Sequence, residues 1–157
     1  MKKINFLNKL YKEEKLKKVK PSKEVTSAYL EKSAKSLSSA KALLDIGNLE
    51  DSVALAYYAM YHSILALLFR IGIKCENHTA AIVLLEKVFK VDNKQIAKAK
   101  KERIDKQYYV DFEVTKTETE EAIQAAEEFL NNITDFIEKL KEEEIEQYRK
   151  KAAALMR

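Results

Sequence analysis

Three groups of polar residues in this chain have side chains that could take part in chemistry. The run AYYAMYH, residues 56–62, places three tyrosines and His62 in an otherwise apolar stretch. His78 follows a polar loop, and the segment from Arg103 to Tyr109 contains an arginine, a lysine and two more tyrosines. Guanidinium and ammonium groups bind phosphate, and tyrosine rings stack on nucleobases. These residue types therefore favour binding of an anion or a nucleic acid.

The sequence lacks the common metal-binding and catalytic motifs. Neither histidine has a glutamate three residues before it, as the carboxylate-bridged two-metal bundles require. Zinc-ligand spacings, nucleophile elbows and glycine-rich phosphate loops are also missing. Cys75, the single cysteine, precedes His78 by three residues, which is weak support for a thiol nucleophile without a third partner. We therefore predict no metal, no cofactor and no catalytic residue.

The aromatic and histidine residues also have purely structural interpretations. In a helical bundle the hydroxyl groups of Tyr57, Tyr58 and Tyr61 would tie helices together or reach a wet cleft. Three tyrosines within five positions are not expected to share one helix face. His62 is expected to be a hydrogen-bonded core residue, whereas His78, near a helix start, is expected to meet solvent or a bound anion.

Composition predicts an all-α fold. The 157 residues include only 2 glycines and 1 proline, which leaves almost no turn chemistry for hairpins. Good helix formers such as Ala, Leu, Glu and Lys are abundant. We expect one domain, an up-and-down antiparallel helical bundle of about five helices.

Apolar periodicity and capping residues predict the helix boundaries. Ser22 is expected to cap the second helix and Gly47 to end it, and Thr117 with Glu120 three residues later has the pattern of a capping box. Residues 73–76 are expected to form a loop. The predicted helices cover about 3–18, 22–46, 51–71, 77–89, a segment that ends near 108, and 117–140.

The positive charge of the chain is concentrated in two segments. Residues 1–20 carry eight lysines and two glutamates, and residues 90–107 carry seven basic and three acidic groups. We interpret 1–20 as a basic N-terminal helical arm, 21–142 as the bundle, and 143–157 as a C-terminal helical tail that projects or packs against a partner. The basic segments could attract phosphate or simply be solvated.

The apolar segment between Asp51 and Arg70 contains no charged residue. Because polar Tyr and His side chains lie at its middle, it is predicted to be a buried central helix and not a membrane span. The lone cysteine and the lack of a signal-peptide pattern predict a cytoplasmic protein without membrane association.

The pattern of these residues resembles the HEPN family, the higher-eukaryote and prokaryote nucleotide-binding domains. The resemblance covers roughly Ser27 to Leu140, and it rests on AYYAMYHSILALLFRIGIKCENHTAAI, followed by KERIDKQYY and TETEEAIQAAEEFLNNI. It implies a compact helical bundle that is usually a homodimer. Such domains are often encoded with a minimal nucleotidyltransferase and act in toxin-antitoxin or RNA-processing systems.

Many HEPN members are metal-independent ribonucleases that use an arginine followed after four to six residues by a histidine. Here Tyr108 stands where that histidine would be after Arg103, and a phenol with a pKa near 10 carries protons poorly at neutral pH. We therefore predict a non-catalytic bundle that binds nucleotide or RNA, or partners a nucleotidyltransferase. The candidate binding residues are Arg103, Lys106, Tyr108, Tyr109, His78 and Tyr58.

Three other interpretations stay open. The chain could be a ribonuclease with Arg103 as phosphate clamp and His78 or Tyr108 recruited for proton transfer. It could be a pure interaction bundle without a ligand. Finally, Arg103 could pair with Asp105 or another nearby acid and have only a structural role.

Overall fold

Helices dominate the parts of the chain that the structure describes. This computed structural model describes residues 2–108 and 113–157, with side chains for all of these except residues 3, 4 and 105–108. The described elements are α1 (Lys2–Lys12), β1 (Leu16–Lys18), α2 (Lys23–Asp45), α3 (Leu49–Arg70), β2 (Ile73–Cys75), α4 (His78–Phe89), α5 (Lys94–Tyr108), α6 (Lys116–Glu138) and α7 (Glu142–Ala154). The all-α prediction is confirmed, and α2 to α6 are five helices of a bundle.

Helix α3 is the centre of the core. By length and apolar composition it is the one helix in the described ranges that could cross a membrane, but 78% of its apolar window is buried inside the bundle. Helices α2, α5 and α6 pack around it. A helix that is apolar nearly all round must be enclosed by others, so the bundle itself explains this composition.

Helix α2 forms a hairpin with α3, and its caps follow the prediction. The Ser22 hydroxyl accepts a hydrogen bond from the backbone nitrogen of Val25 at 3.1 Å. After α2 the chain turns through Gly47, whose φ of +83° is in the left-handed region that glycine adopts without strain. The short turn brings the two helices together side by side.

Buried hydroxyl groups fix α2 against α3. Thr26 Oγ1 donates to the carbonyl oxygen of Ala66 at 2.8 Å, and Ser52 Oγ donates to that of Ala40 at 2.6 Å. Small polar residues can occupy the inner face because each of these two hydroxyls finds a backbone acceptor on the facing helix.

The N-terminal segment differs from its prediction. The first helix ends at Lys12 and not near residue 18, and Glu14 follows with a φ of +61°. Residues 16–18 then form β1, which pairs antiparallel with β2 in the segment predicted to be a loop. Sequence periodicity misses this sheet because its two strands lie far apart in the chain and need no hairpin turn.

Helix α6 begins two residues earlier than predicted. Thr115, and not Thr117, is the N-cap, and its hydroxyl accepts a hydrogen bond from the backbone nitrogen of Glu118 at 3.1 Å. Both threonines have a glutamate three residues later, so the capping pattern fits either one. Thr119, one turn after this N-cap, is buried, which is consistent with the earlier start.

The C-terminal segment packs against its own bundle as α7. The Tyr148 ring lies 5.0 Å from that of Phe89 and 6.0 Å from that of Phe136, measured between centroids. Ile145 and Met156 are buried in the same core as the rest of the chain. One of the two predicted arrangements, a tail that projects from the domain, is therefore wrong.

Arg149 ties α7 to the turn between α3 and β2. Its Nη1 donates hydrogen bonds to the carbonyl oxygens of Val19 at 2.6 Å, Ile71 at 3.1 Å and Gly72 at 2.9 Å. Gly72 has a φ of +79°, and a Cβ atom there would collide with the Arg149 guanidinium and the Val19 oxygen. The close approach of these groups requires glycine at this position.

Candidate functional site

Polar side chains from three helices meet beside the middle of α3. Arg103, on α5, places its Nη1 3.3 Å from the Tyr58 hydroxyl oxygen. The Arg103 guanidinium carbon lies 5.2 Å from the ring centroid of Tyr57 and 5.4 Å from that of Tyr58. A guanidinium held over two aromatic rings keeps its charge and gains cation–π attraction.

His78, the first residue of α4, contacts the same tyrosines from another side. Its Nδ1 is 2.7 Å from the Tyr57 hydroxyl oxygen, and its ring stacks on Tyr61 with centroids 3.8 Å apart. Asn77 caps α4 by accepting a hydrogen bond from the Ala80 backbone nitrogen at 2.9 Å. This cap fixes where the helix begins and so where the imidazole enters the cluster.

Burial and nearby cations determine the protonation state of this cluster. Desolvation raises the pKa of Tyr57 well above its ordinary value, against a smaller lowering by Arg103, so the phenol stays protonated. Desolvation, together with the charges of Arg103 and Lys100, lowers the pKa of His78. At neutral pH the site therefore holds a neutral imidazole beside fixed positive charge.

Lys100 brings a second cation to the start of α4. Its Nζ donates to Thr79 Oγ1 at 2.9 Å, next to His78. Lys100 and Arg103 are three positions apart on α5, so they lie on the same side of that helix. The side of the cluster formed by α5 and the start of α4 therefore carries two positive charges.

A family comparison explains why these helices occur together. The family model described as HEPN domain matches residues 26–140. The chain belongs to the HEPN family. The matched range agrees with the range of the resemblance found in the sequence, and it contains α3, α4 and α5, which carry the site. A comparison with curated proteins finds no match.

The HEPN bundle brings together three of the six predicted binding residues. Arg103, His78 and Tyr58 meet around Tyr57. The other three predicted residues, namely the side chains of Lys106 and Tyr108 and the whole of Tyr109, lie outside the described parts of the structure.

The expectation that the three tyrosines cannot share one face is wrong. The rings of Tyr57, Tyr58 and Tyr61 lie 5.7, 6.0 and 3.8 Å from that of His78, measured between centroids. On a helix with 3.6 residues per turn these three positions span an arc of only about 100°. Side chains of this length can converge from such an arc on one neighbouring ring.

Two members of this cluster, Tyr57 and Lys100, are not among the predicted binding residues. The sequence predicts that Tyr57 ties helices together or reaches a wet cleft, and it places Lys100 in a basic segment without a role of its own. The spacing of Lys100 three residues before Arg103 is the signal that could have identified it, since positions i and i+3 are neighbours on a helix.

His62 lies on the other side of the tyrosines and has a different environment. Its ring is 6.1 Å from Tyr58, 5.8 Å from Tyr61 and 6.1 Å from Tyr29 of α2, measured between centroids. Desolvation lowers its pKa to about 4, with smaller contributions from Lys32 and His78. Its Nδ1 has no hydrogen-bond partner among the described residues, so the prediction of a hydrogen-bonded core histidine fails for this nitrogen.

Cys75 is not a candidate nucleophile. Only 4% of it is exposed, and its Sγ donates a hydrogen bond to the Asn77 carbonyl oxygen at 3.3 Å. Burial raises the pKa of the thiol to about 11. Because the thiolate is the reactive form, this cysteine is inert at neutral pH. Among the side chains that the structure describes, no group of three or more His, Cys, Asp or Glu is arranged to hold a metal ion.

Proposed function

We propose that this HEPN domain binds the phosphate of a nucleotide or an RNA strand at the cluster of Arg103, His78 and Tyr58. The observation that carries the proposal is that the Arg103 guanidinium and the His78 imidazole both contact Tyr57. Guanidinium groups form charge-assisted hydrogen bonds with phosphate oxygens. Lys100 adds a second positive charge at the same place.

The hydrogen bond between Tyr57 and His78 suits anion binding. A protonated phenol that donates to Nδ1 leaves the imidazole proton on Nε2. The Nε2–H group can then donate to a phosphate oxygen without the histidine becoming charged. The partly exposed ring of Tyr58 is the surface on which a base would stack.

The direct test is binding of a short single-stranded RNA, the trinucleotide UUU, to Arg103→Ala. Loss of one charge-assisted phosphate contact should weaken affinity about tenfold or more. Lys101→Ala is the matched control, because Lys101 is exposed on the opposite side of α5 and its loss changes the net charge equally. Equal affinity of Arg103→Ala and wild type, by fluorescence anisotropy, would contradict the proposal.

Ribonuclease activity is the second candidate function, and the convergence of Arg103 and His78 favours it. The two residues meet without the short Arg-to-His spacing of the family's nucleases, because α3 brings Tyr57 between them. For catalysis Tyr57 would have to accept a hydrogen bond from Nδ1–H, leaving Nε2 free as a general base.

This second candidate predicts cleavage of single-stranded RNA in the presence of a metal chelator. His78→Ala should abolish that cleavage, whereas Lys101→Ala should not affect it. Intact RNA after incubation with the wild-type protein would rule the activity out.

Partnership with a nucleotidyltransferase, a toxin-antitoxin role, homodimer formation and cytoplasmic location remain predictions from the sequence and the resemblance.

A further inference from the structure

The two-stranded sheet places lysines opposite each other on its outer face. In the antiparallel register Leu16 pairs with Cys75, Lys17 with Lys74, and Lys18 with Ile73. Leu16, Ile73 and Cys75 are buried in the core, while Lys17 and Lys74 are partly exposed. Because side chains alternate across a strand, Lys17 and Lys74 point to the side away from the core.

A pair of like charges directly across a sheet is unfavourable for folding. Cross-strand pairs of opposite charge stabilise a sheet, whereas like charges at this spacing repel. Lys74 has a partial partner in Glu76, at 3.3 Å between charged atoms. Lys17 has no ion pair with a carboxylate in the described ranges. The ribbon therefore keeps positive charge at a position where stability alone would not favour it.

This ribbon leads directly into the Arg103 and His78 cluster. Lys74 precedes His78 by four residues, so their Cα atoms are at most about 14 Å apart even along a fully extended chain. Lys100 donates a hydrogen bond to Thr79, the residue after His78. Positive groups therefore lie at both ends of this short connection, with Lys17 and Lys74 at the ribbon end and Lys100 and Arg103 at the site end.

Strand β1 comes from outside the range of the family match, which begins at residue 26. The basic N-terminal segment therefore adds one edge of the ribbon to the HEPN domain, and with it Lys17. This contribution places Lys17 opposite Lys74, which precedes His78 by four residues.

We propose that the β1–β2 ribbon binds the backbone of a single-stranded nucleic acid whose neighbouring phosphate occupies the Arg103 and His78 cluster. The inference rests on the proposed function and deepens it, because the ligand becomes an oligonucleotide and not a mononucleotide. A strand of regularly spaced phosphates matches charges that are separated along the protein surface. Aromatic rings beside the phosphate site suit unpaired bases, which have free faces for stacking.

The test compares binding of the UUU trinucleotide and a uridine 12-mer to wild type and to the Lys17→Ala/Lys74→Ala double variant. The 12-mer should bind wild type more tightly than UUU does. In the double variant its salt slope should fall by about 1.4, at about 0.7 per lost phosphate contact, and its affinity at physiological salt by about tenfold. Affinity for UUU should not change, since that ligand occupies only the Arg103 cluster.

The control is Lys35→Ala/Lys150→Ala, which removes two exposed lysines on α2 and α7 and changes the net charge equally. Equal 12-mer affinity and salt slope in wild type and the Lys17→Ala/Lys74→Ala variant would overturn the proposal that the ribbon binds the strand. Competition by polyglutamate as strong as that by the 12-mer would also overturn it, in favour of an acidic protein partner. If only the proposal about the ribbon is wrong, UUU still binds and Arg103→Ala still lowers the affinity for UUU. If the proposed function is wrong, Arg103→Ala leaves UUU binding unchanged.

Discussion

At the scale of single residues, burial sets the protonation of both histidines. His62 and His78 each have a lowered pKa, and desolvation is the largest cause in both cases. His78 has a hydrogen-bond partner in Tyr57 and cations nearby, whereas His62 packs among rings. Both lowered pKa values make stability depend on pH, and only the environment of His78 suits a ligand site.

Protonation of His62 should destabilise the fold in mild acid. The pKa of His62 is about 4 in the folded protein and 6.5 in the unfolded chain. Between these two pH values the unfolded chain therefore binds more protons than the folded protein does. Stability is therefore lost as pH falls from about 6.5 towards 4. In His62→Phe, which keeps an aromatic ring, the melting temperature should fall less between pH 7 and pH 4.5 than in wild type. An equal fall in both proteins, followed by circular dichroism, would contradict this role of His62.

The predictable part of the site comprises residues whose chemistry is visible in their type. Arg103, His78 and Tyr58 could be selected because a guanidinium, an imidazole and a phenol suit phosphate and bases. That Tyr57 links Arg103 to His78 could not be predicted. The link depends on how α4 and α5 pack against α3, and helical periodicity does not encode that arrangement.

At the scale of elements, local signals predicted the cap of α2, placed that of α6 two residues too late, and failed for the sheet. Ser22 caps α2 through a hydrogen bond from the residue three positions on, which a short sequence pattern can reveal. Strands β1 and β2 pair across more than 50 residues, and each has only three residues. Nothing within either short segment distinguishes it from a loop.

The two glycines should respond very differently to alanine. Gly47 and Gly72 both have positive φ, which costs an alanine about 1–2 kcal/mol. At Gly47 no atom lies within 4 Å of the added Cβ, so the cost should stop there. At Gly72 the collision with Arg149 and Val19 should add about 1–3 kcal/mol.

The measurement is the free energy of unfolding in urea for Gly72→Ala and Gly47→Ala. Gly47→Ala serves as the control for backbone strain, because the two positions share their φ region and differ in their surroundings. Equal losses in the two variants would mean that the turn at Gly72 can open without affecting the rest of the fold.

At the scale of the whole molecule, the folded unit is larger than the family match. The match ends at residue 140, yet Ile145 and Met156 are buried with the bundle and Arg149 holds the turn after α3. The apolar pattern of the tail is weak, so the sequence does not predict that the tail packs against the bundle. A few aromatic and aliphatic contacts are enough to pack a helix whose other faces are polar.

Deletion of residues 141–157 should therefore destabilise the domain. Removing α7 uncovers Phe89, which is only 4% exposed, and eliminates the buried side chains of Ile145, Ala152 and Met156. We expect a loss of about 3 kcal/mol or more in the free energy of unfolding. Arg149→Met keeps α7 and should cost less, about 1–3 kcal/mol for the lost hydrogen bonds. An unchanged free energy for the truncated chain, measured in urea, would show that α7 is not part of the cooperative unit.

The proposal that Arg103 and His78 together bind phosphate can be tested most directly by the NMR signals of the imidazoles. The chain has only 2 histidines, so specific labelling gives two sets of resonances. During titration with UUU, the His78 signals should shift saturably and its pKa should rise, because a nearby phosphate favours the imidazolium. The His62 signals should shift much less. Signals of His78 that stay unchanged at saturating RNA would contradict the site.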